Sequence, residues 1–274
     1  MRRIAVAALT AGLTASAYAQ HAGDNVVALG WFHVTTQNSS TPLTTDVAPV
    51  PINTPLRLPS SFTSAGTGLS ASNADTVGLV ISHFFTDHIA LTTVAGVPPT
   101  FKLYGHGTIK PPGPAGALGS QNLSDPATNP VVGSVRQWSP ALIFQYYFRD
   151  ADAKFRPFLG IGVSYNWFSD IQLNPNFVKA TQDDLGSVLA AGAGKPGQTQ
   201  ISAKASSSWS PVFNLGATYN VTKHLGIVAS VTYIPLKTTS SVIVKAADGS
   251  ELGVSRADLK ADPIISFLAL SYRF

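Results

Sequence analysis

Eight stretches of this chain carry no Asp, Glu, Lys or Arg and are rich in Val, Ile, Thr, Phe and Tyr. They are 25–34, the intervals between Asp75 and Asp87, between Asp87 and Lys102, and between Arg136 and Arg149, then 157–169, 205–222, 224–236 and 263–272. Such residues suit a pleated strand. Large apolar side chains alternate with small or polar ones. In 155–167 the odd positions are Phe155, Pro157, Leu159, Ile161, Val163, Tyr165 and Trp167, and the even ones Arg156, Phe158, Gly160, Gly162, Ser164 and Asn166. In 209–219 the row Trp209, Pro211, Phe213, Leu215, Ala217, Tyr219 opposes Ser210, Val212, Asn214, Gly216 and Thr218. The last stretch sets Ile264, Leu268, Leu270, Tyr272 and Phe274 against Ile265, Phe267, Ala269, Ser271 and Arg273, with Ser266 interrupting the apolar row. Period two puts each row on one side of a sheet.

A soluble sheet shows water a charged face. None of these stretches has one, so the continuous apolar row must face hydrocarbon. A tilted strand of ~10 residues crosses a bilayer core, and only a closed barrel satisfies all its backbone groups there. The expected fold is therefore all-β, an eight-stranded antiparallel transmembrane β-barrel. Links near 86–88, 149–154 and 221–224 are short, whereas 35–74, 105–135, 168–208 and 237–262 are long. Outer-membrane barrels keep short turns in the periplasm and long loops outside, and an even strand count leaves both termini periplasmic. Trp31, Trp138, Tyr165, Trp167 and Trp209 gather towards one end of their strands, and Phe148, Phe155, Tyr219, Tyr272 and Phe274 towards the other, as two interfacial girdles.

The N-terminus agrees with export. Met1-Arg2-Arg3 precedes an apolar stretch, 4–17, and the small-residue pattern Ala17-Tyr18-Ala19. This predicts a signal peptide over 1–19, too short for a membrane span, leaving 20–274 as a single barrel domain in a bacterial outer membrane. Charged residues make up only 12% of the chain, and 18 Lys/Arg against 14 Asp/Glu give +4, or +2 without Arg2 and Arg3. That bias is too small for a nucleic-acid partner. The absence of Cys excludes disulfide frameworks, thiolate metal sites and Cys nucleophiles. The loops are Ser/Thr/Pro-rich over 35–72 and carry Pro111-Pro112-Gly113-Pro114, so they read as solvated, partly mobile connections rather than a second domain. In the third, Thr181 to Asp184 reads either as the cap of a short helix over 185–191 or as irregular loop.

Lys154-Phe155-Arg156-Pro157-Phe158-Leu159-Gly160-Ile161-Gly162-Val163-Ser164-Tyr165-Asn166 resembles the most recognisable strand of the OmpW family of small outer-membrane barrels. Pro140-Ala141-Leu142-Ile143-Phe144-Gln145-Tyr146-Tyr147-Phe148 resembles the strand before it, and Val77-Gly78-Leu79, Thr86-Asp87-His88-Ile89-Ala90-Leu91 and Ser271-Tyr272-Arg273-Phe274 keep the same order and spacing. The resemblance covers the barrel from Val26 to Phe274 and lapses in the loops, which look longer than the family's. It implies a narrow apolar lumen through which small hydrophobic molecules cross the lipopolysaccharide layer, with release sideways into the membrane. Phe274 resembles the terminal signal read by the barrel-assembly machinery. That machinery, outer-membrane lipid and lipopolysaccharide are the implied partners, and no cofactor is implied.

Parity assigns the lumen once the outward rows are set. Val80, Val94, Ile143, Phe158 and Val212 are expected inside, with Val228, Thr232, Ile234 and Phe267, and these nine form the candidate substrate path. Ile265 and the polar Ser82, Thr92, Gln145, Asn166, Asn214 and Ser230 share that side. Eight strands enclose side chains or one slim ligand, not a diffusive water pore. A mainly apolar lining suits a small apolar molecule. Val94 and Thr232 are the expected constriction, and Gly78, Gly96, Gly160, Gly162 and Gly216 are expected to leave room. The alternative is an inert lumen, with the long loops serving as an adhesive or receptor surface.

Pro98, Pro140, Pro211, Pro235 and Pro263 fall near the outer ends of their strands, and proline donates nothing to a ladder. Either the ladder ends there with the bilayer, or the Pro98-Pro99 pair opens a lateral gap in the wall. At the periplasmic floor Arg156 and Arg273 are expected inside, near Asp24, either as an ion pair closing the lumen or as side chains reaching solvent. No catalytic set is apparent. By parity His33 and His83 face lipid, the carboxylates of 183–184 and 258–262 lack a His on a shared face, and no phosphate loop or metal-ligand spacing occurs.

Overall fold

The computed structural model describes residues 20–274 apart from Leu118. The expected signal peptide, 1–19, lies outside the described residues. Eight strands form a barrel: β1 (Asn25–Thr35), β2 (Ala74–Phe84), β3 (Ile89–Gly96), β4 (Ala141–Tyr147), β5 (Phe155–Leu173), β6 (Ser208–Asn220), β7 (Leu225–Tyr233) and β8 (Ile264–Arg273). Each pairs antiparallel with its neighbour in sequence, and β1 pairs with β8, Val26 opposite Arg273 through Thr35 opposite Ile264. No barrel edge is left unpaired, which is the condition for placing strands in lipid.

Burial follows the period-two pattern, inverted relative to a soluble sheet. Ile161 is 67% and Leu270 70% exposed on the outer face, whereas Phe158 and Val212 inside are 2% and 1% exposed. An apolar belt of this extent is stable only against hydrocarbon. Tyr165 and Trp209 meet at 4.9 Å on the outer girdle, and Tyr272 and Phe274 at 4.8 Å on the inner one.

Two periplasmic turns repeat one local solution. Thr86 Oγ1 accepts the backbone N–H of His88 and Ile89, and Thr222 Oγ1 those of His224 and Leu225. Each turn histidine then contacts the next strand, His88 Nδ1 at the Tyr147 carbonyl and His224 Nδ1 at that of Arg273. Their rings stack on Tyr146 and Tyr272. A hydroxyl that satisfies two turn N–H groups closes the chain tightly.

The long loops correct the sequence expectation: they fold. The segments Leu43–Val47, Ser61–Ser64, Gln200–Ala205, Lys237–Lys245 and Glu251–Lys260 make one antiparallel sheet above the barrel. The outer half of β5 carries Val132–Trp138, which pairs in turn with Thr100–His106 and then Gly68–Ala71. Leu43, Leu69, Leu123, Val131, Val132 and Phe177 form a buried core beneath this dome. In Leu43–Val47 the residues Leu43, Thr45 and Val47 alternate inward, so threonines pair in a sheet where composition alone suggested solvated chain. In the third loop, helix begins at Pro175, capped by Asn174 Oδ1 accepting from the Asn176 N–H, and helical turns continue to Gly192. The cap is therefore Asn174, not Thr181.

Candidate functional site: the lumen and its side gap

The lumen is divided. Its outer half holds a cavity of about 450 Å³, whereas the cavity of the inner half is only about 40 Å³. Phe32, Val94, Ile143 and Thr232 belong to the lining of both and so mark the neck between them. Val212 and Ile234 line the outer cavity, and Val80, Phe158, Val228 and Phe267 the inner one. With Val94, Ile143 and Thr232 these are the nine residues that parity places inside. Phe32, which that reasoning misses, stacks on Phe267 at 4.1 Å and narrows the neck.

The glycines do not leave empty space. A Cβ on Gly78 would lie 2.0 Å from the Phe32 ring, and one on Gly216 2.5 Å from Phe158 Cζ. Gly78 and Gly216 each make room for a neighbouring ring that fills the bore, whereas Gly96 and Gly162 sit against strand backbone and Gly160 against Ile143 and Gln145.

Just inside the neck, a chain of polar groups runs around the inner wall from β2 to β7, above the small inner cavity. Ser82 Oγ and Thr92 Oγ1 lie 2.7 Å apart, and Thr92 donates to Gln145 Oε1 at 2.6 Å. Gln145 Nε2 donates to Asn214 Oδ1 at 2.8 Å, and Asn214 Nδ2 to Thr232 Oγ1 at 2.9 Å. Tyr147 OH adds a bond to Gln145 Oε1 at 3.1 Å. Buried polar groups joined this way form a rigid partition.

Below it lies an aromatic and cationic floor. Arg156 is fully buried, its guanidinium 5.2 Å from the Tyr147 ring centroid and 5.9 Å from that of Phe84. It donates to the Gln20 carbonyl, to Gln20 Oε1 at 3.0 Å and to the Asp87 carbonyl. Arg273 Nε approaches Asp24 Oδ2 at 3.6 Å. Of the two arginines expected near Asp24, only Arg273 pairs with it. Arg156 instead binds main-chain oxygens that sequence spacing does not reveal.

Beside the outer cavity the wall is interrupted between β3 and β4. Strands β3 and β4 pair as far as Val94 opposite Ala141. The next link between the two chain segments is the Gln137 N–H to the Pro99 carbonyl at 3.1 Å. Pro98 and Pro99 border the intervening gap on one side, and Trp138, Ser139 and Pro140 on the other, all in the outer-cavity lining. On its far side the first edge is tied to β2, Val97 N–H to the Val77 carbonyl and Thr76 Oγ1 to the Val97 carbonyl. Prolines on both edges withhold the N–H groups that would close the ladder. Towards the dome, the outer cavity shares Val34, Phe101, Gln137 and Pro263 with a further apolar cavity of about 100 Å³.

On the outer face, His33 Nδ1 and Trp31 Nε1 both contact Asp75 Oδ1, at 2.8 and 2.9 Å. Cross-strand register makes this pair, since His33 lies opposite Asp75. Spacing along the chain draws attention only to the loop carboxylates. Among the described residues no group of His, Asp or Glu is arranged to hold a metal ion.

An eight-stranded antiparallel barrel with an apolar outer belt, two aromatic girdles and both described chain ends on the short-turn side is an outer-membrane β-barrel. Within that class the chain belongs to the OmpW family, which it matches over residues 42–274. It is 28% identical over 205 residues to outer membrane protein W of Vibrio cholerae serotype O1, covering 74% of this chain and 76% of that protein. The corresponding Salmonella typhi protein is 27% identical over 208 residues, 76% of each chain. The crystal structure of OprG from Pseudomonas aeruginosa shares the fold, with a TM-score of 0.67 at 20% identity over 94% of this chain and 98% of that one. The protein is accordingly an outer-membrane protein set in lipid and lipopolysaccharide.

Proposed function

We propose that this barrel admits small apolar molecules from outside the cell and releases them sideways into the outer membrane, without chemistry of its own. The observation that carries the reading is a contrast within one lumen. The outer cavity is lined mainly by apolar side chains and reaches the β3–β4 gap, while the partition and the Arg156 floor block the straight route to the periplasm. A molecule entering through the dome meets a continuous apolar path to the gap at Pro98 and Pro99. Solubility favours the same exit, because an apolar solute gains about 0.8 kcal/mol per CH₂ on leaving water.

In this reading Val80, Val228, Phe158 and Phe267 close the lower lumen. The substrate path runs through Val94, Ile143, Val212, Thr232 and Ile234. Signal-peptide removal after Ala19 and recognition of Phe274 by the barrel-assembly machinery belong to the same proposal. The test is uptake of a short alkane by cells with and without the gene, alongside ion conductance of the purified protein in planar bilayers. Faster alkane uptake with negligible conductance supports the proposal. Equal uptake in the two strains would leave the folded dome, as an adhesive or receptor surface, as the better reading.

A further inference from the structure

The hydrogens of the partition can be assigned one by one. Thr92 spends its only hydroxyl hydrogen on Gln145 Oε1, so in the Ser82–Thr92 contact Ser82 must be the donor. Gln145 then donates through Nε2 to Asn214 Oδ1, and Asn214 through Nδ2 to Thr232 Oγ1. The chain therefore runs in one direction, from Ser82 through Thr92, Gln145 and Asn214 to Thr232. Its last donor is the Thr232 hydroxyl, which has no acceptor among the described residues. Donors at the end of such a chain are strengthened by the bonds behind them.

Thr232 also lies in the neck shared by the two cavities. Around it the outer-cavity floor is apolar, formed by Phe32, Val94, Ile143, Val212 and Ile265. The other hydroxyls and amides of that cavity, Thr76, Gln137 and Ser139, lie towards the gap, away from this floor. Thr76 donates to the Val97 carbonyl, and Gln137 Nε2 to Ser139 Oγ. Among the described residues no charged side chain lines the cavity. A carboxylate or ammonium held there would lose its hydration with no counter-charge, which is costly.

We propose that Thr232 is the polar contact of the outer cavity, and that its preferred occupants are neutral molecules with one hydrogen-bond-accepting oxygen on an apolar body: ketones, esters and alcohols in preference to plain hydrocarbons or fatty acids. This inference rests on the cavity being a ligand site, as proposed above. It adds an orientation, oxygen down against Thr232 and apolar tail towards the gap at Pro98.

The test compares octanone, octane and octanoate, for binding to the purified protein in lipid nanodiscs and for uptake into cells. Wild type is expected to bind octanone about three- to tenfold more tightly than octane, the range of one neutral hydrogen bond, and octanoate least. Thr232→Val, which keeps the volume and removes the hydroxyl, should abolish the ketone preference, bringing the octanone-to-octane affinity ratio to about one or below. Thr232→Ser should restore the preference. An octanone-to-octane ratio equal in wild type and Thr232→Val overturns the proposal, whatever the uptake rates. A ketone preference that depends on Thr232 without any uptake supports the site and refutes the transport reading instead. A heat-shifted gel band confirms that each variant is a folded barrel.

Discussion

Gln145 on β4 and Asn214 on β6 share a 2.8 Å hydrogen bond although a whole strand lies between them. The residue between, opposite both in register, is Gly160. With no side chain there, two amides reach over β5 and tie β4 to β6 on the inner side of the wall. A Cβ at that position would lie 2.8 Å from Ile143 Cγ2 and 3.0 Å from Gln145 Cγ.

Gly160→Val should therefore break the partition while leaving the outer belt intact. Each buried amide left unpaired costs about 1–3 kcal/mol. The expected result is a lower unfolding midpoint, read from the temperature at which the folded gel band is lost. A midpoint equal to wild type would mean the bridge adds nothing to stability.

The two floor arginines should respond unequally. Arg156→Leu strips donors from the Gln20 and Asp87 carbonyls in a fully buried site, at about 1–3 kcal/mol for each group left unpaired. Asp24→Asn weakens a longer, partly solvated pair with Arg273, which is worth about 1 kcal/mol or less. Urea titrations of the two variants measure the difference, and equal destabilisation would contradict this account of the floor.

Replacing Pro98 and Pro99 together by Val supplies two backbone N–H groups at the edge of the gap. Uptake of an alkane should slow while the amount of folded barrel stays constant. Uptake at the wild-type rate would show that molecules leave elsewhere.

The dome should loosen in acid. Asp248 is held below the usual carboxylate range by the Ser250 hydroxyl and N–H and by Lys195, and Asp258 by Lys237 and Thr239. Carboxylates with depressed folded-state values stabilise the fold fully above the unfolded value near 3.8 and lose that contribution as pH falls through the folded value. Hydrogen-exchange protection across 237–260, taken relative to the intrinsic amide rate at each pH, should be constant from neutral pH down to about 5 and fall in the window below about 4. Asp258→Asn should remove part of that acid step. If protection in this hairpin does not change in acid, these carboxylates do not hold it.

Alternation along 155–167 and 209–219 is enough to specify strands, their outward rows and the closed barrel, because a side chain in a strand has only two directions and lipid accepts only one kind. For the same reason parity places Val212, Phe158 and Thr232 inside without any structure. What parity cannot supply is distance around the circumference. That Gln145 meets Asn214 over Gly160, that Phe32 occupies the space beside Gly78, and that His33 faces Asp75 all depend on inter-strand register and on the curvature of the closed sheet. The dome escapes sequence reasoning for a related cause: in Leu43–Val47 and Lys237–Lys245 the inward residues are often Thr or Ser, whose burial becomes favourable only once partner strands take up their backbone groups.

An outer-membrane barrel of eight strands is written into the chain itself, because period-two rows without charge have one solvent in which they are stable. The partition of the bore and the seal that Arg156 makes at its base through main-chain oxygens come instead from three-dimensional closure. Those features arise where non-neighbouring strands converge, and no local pattern encodes which side chains will meet there.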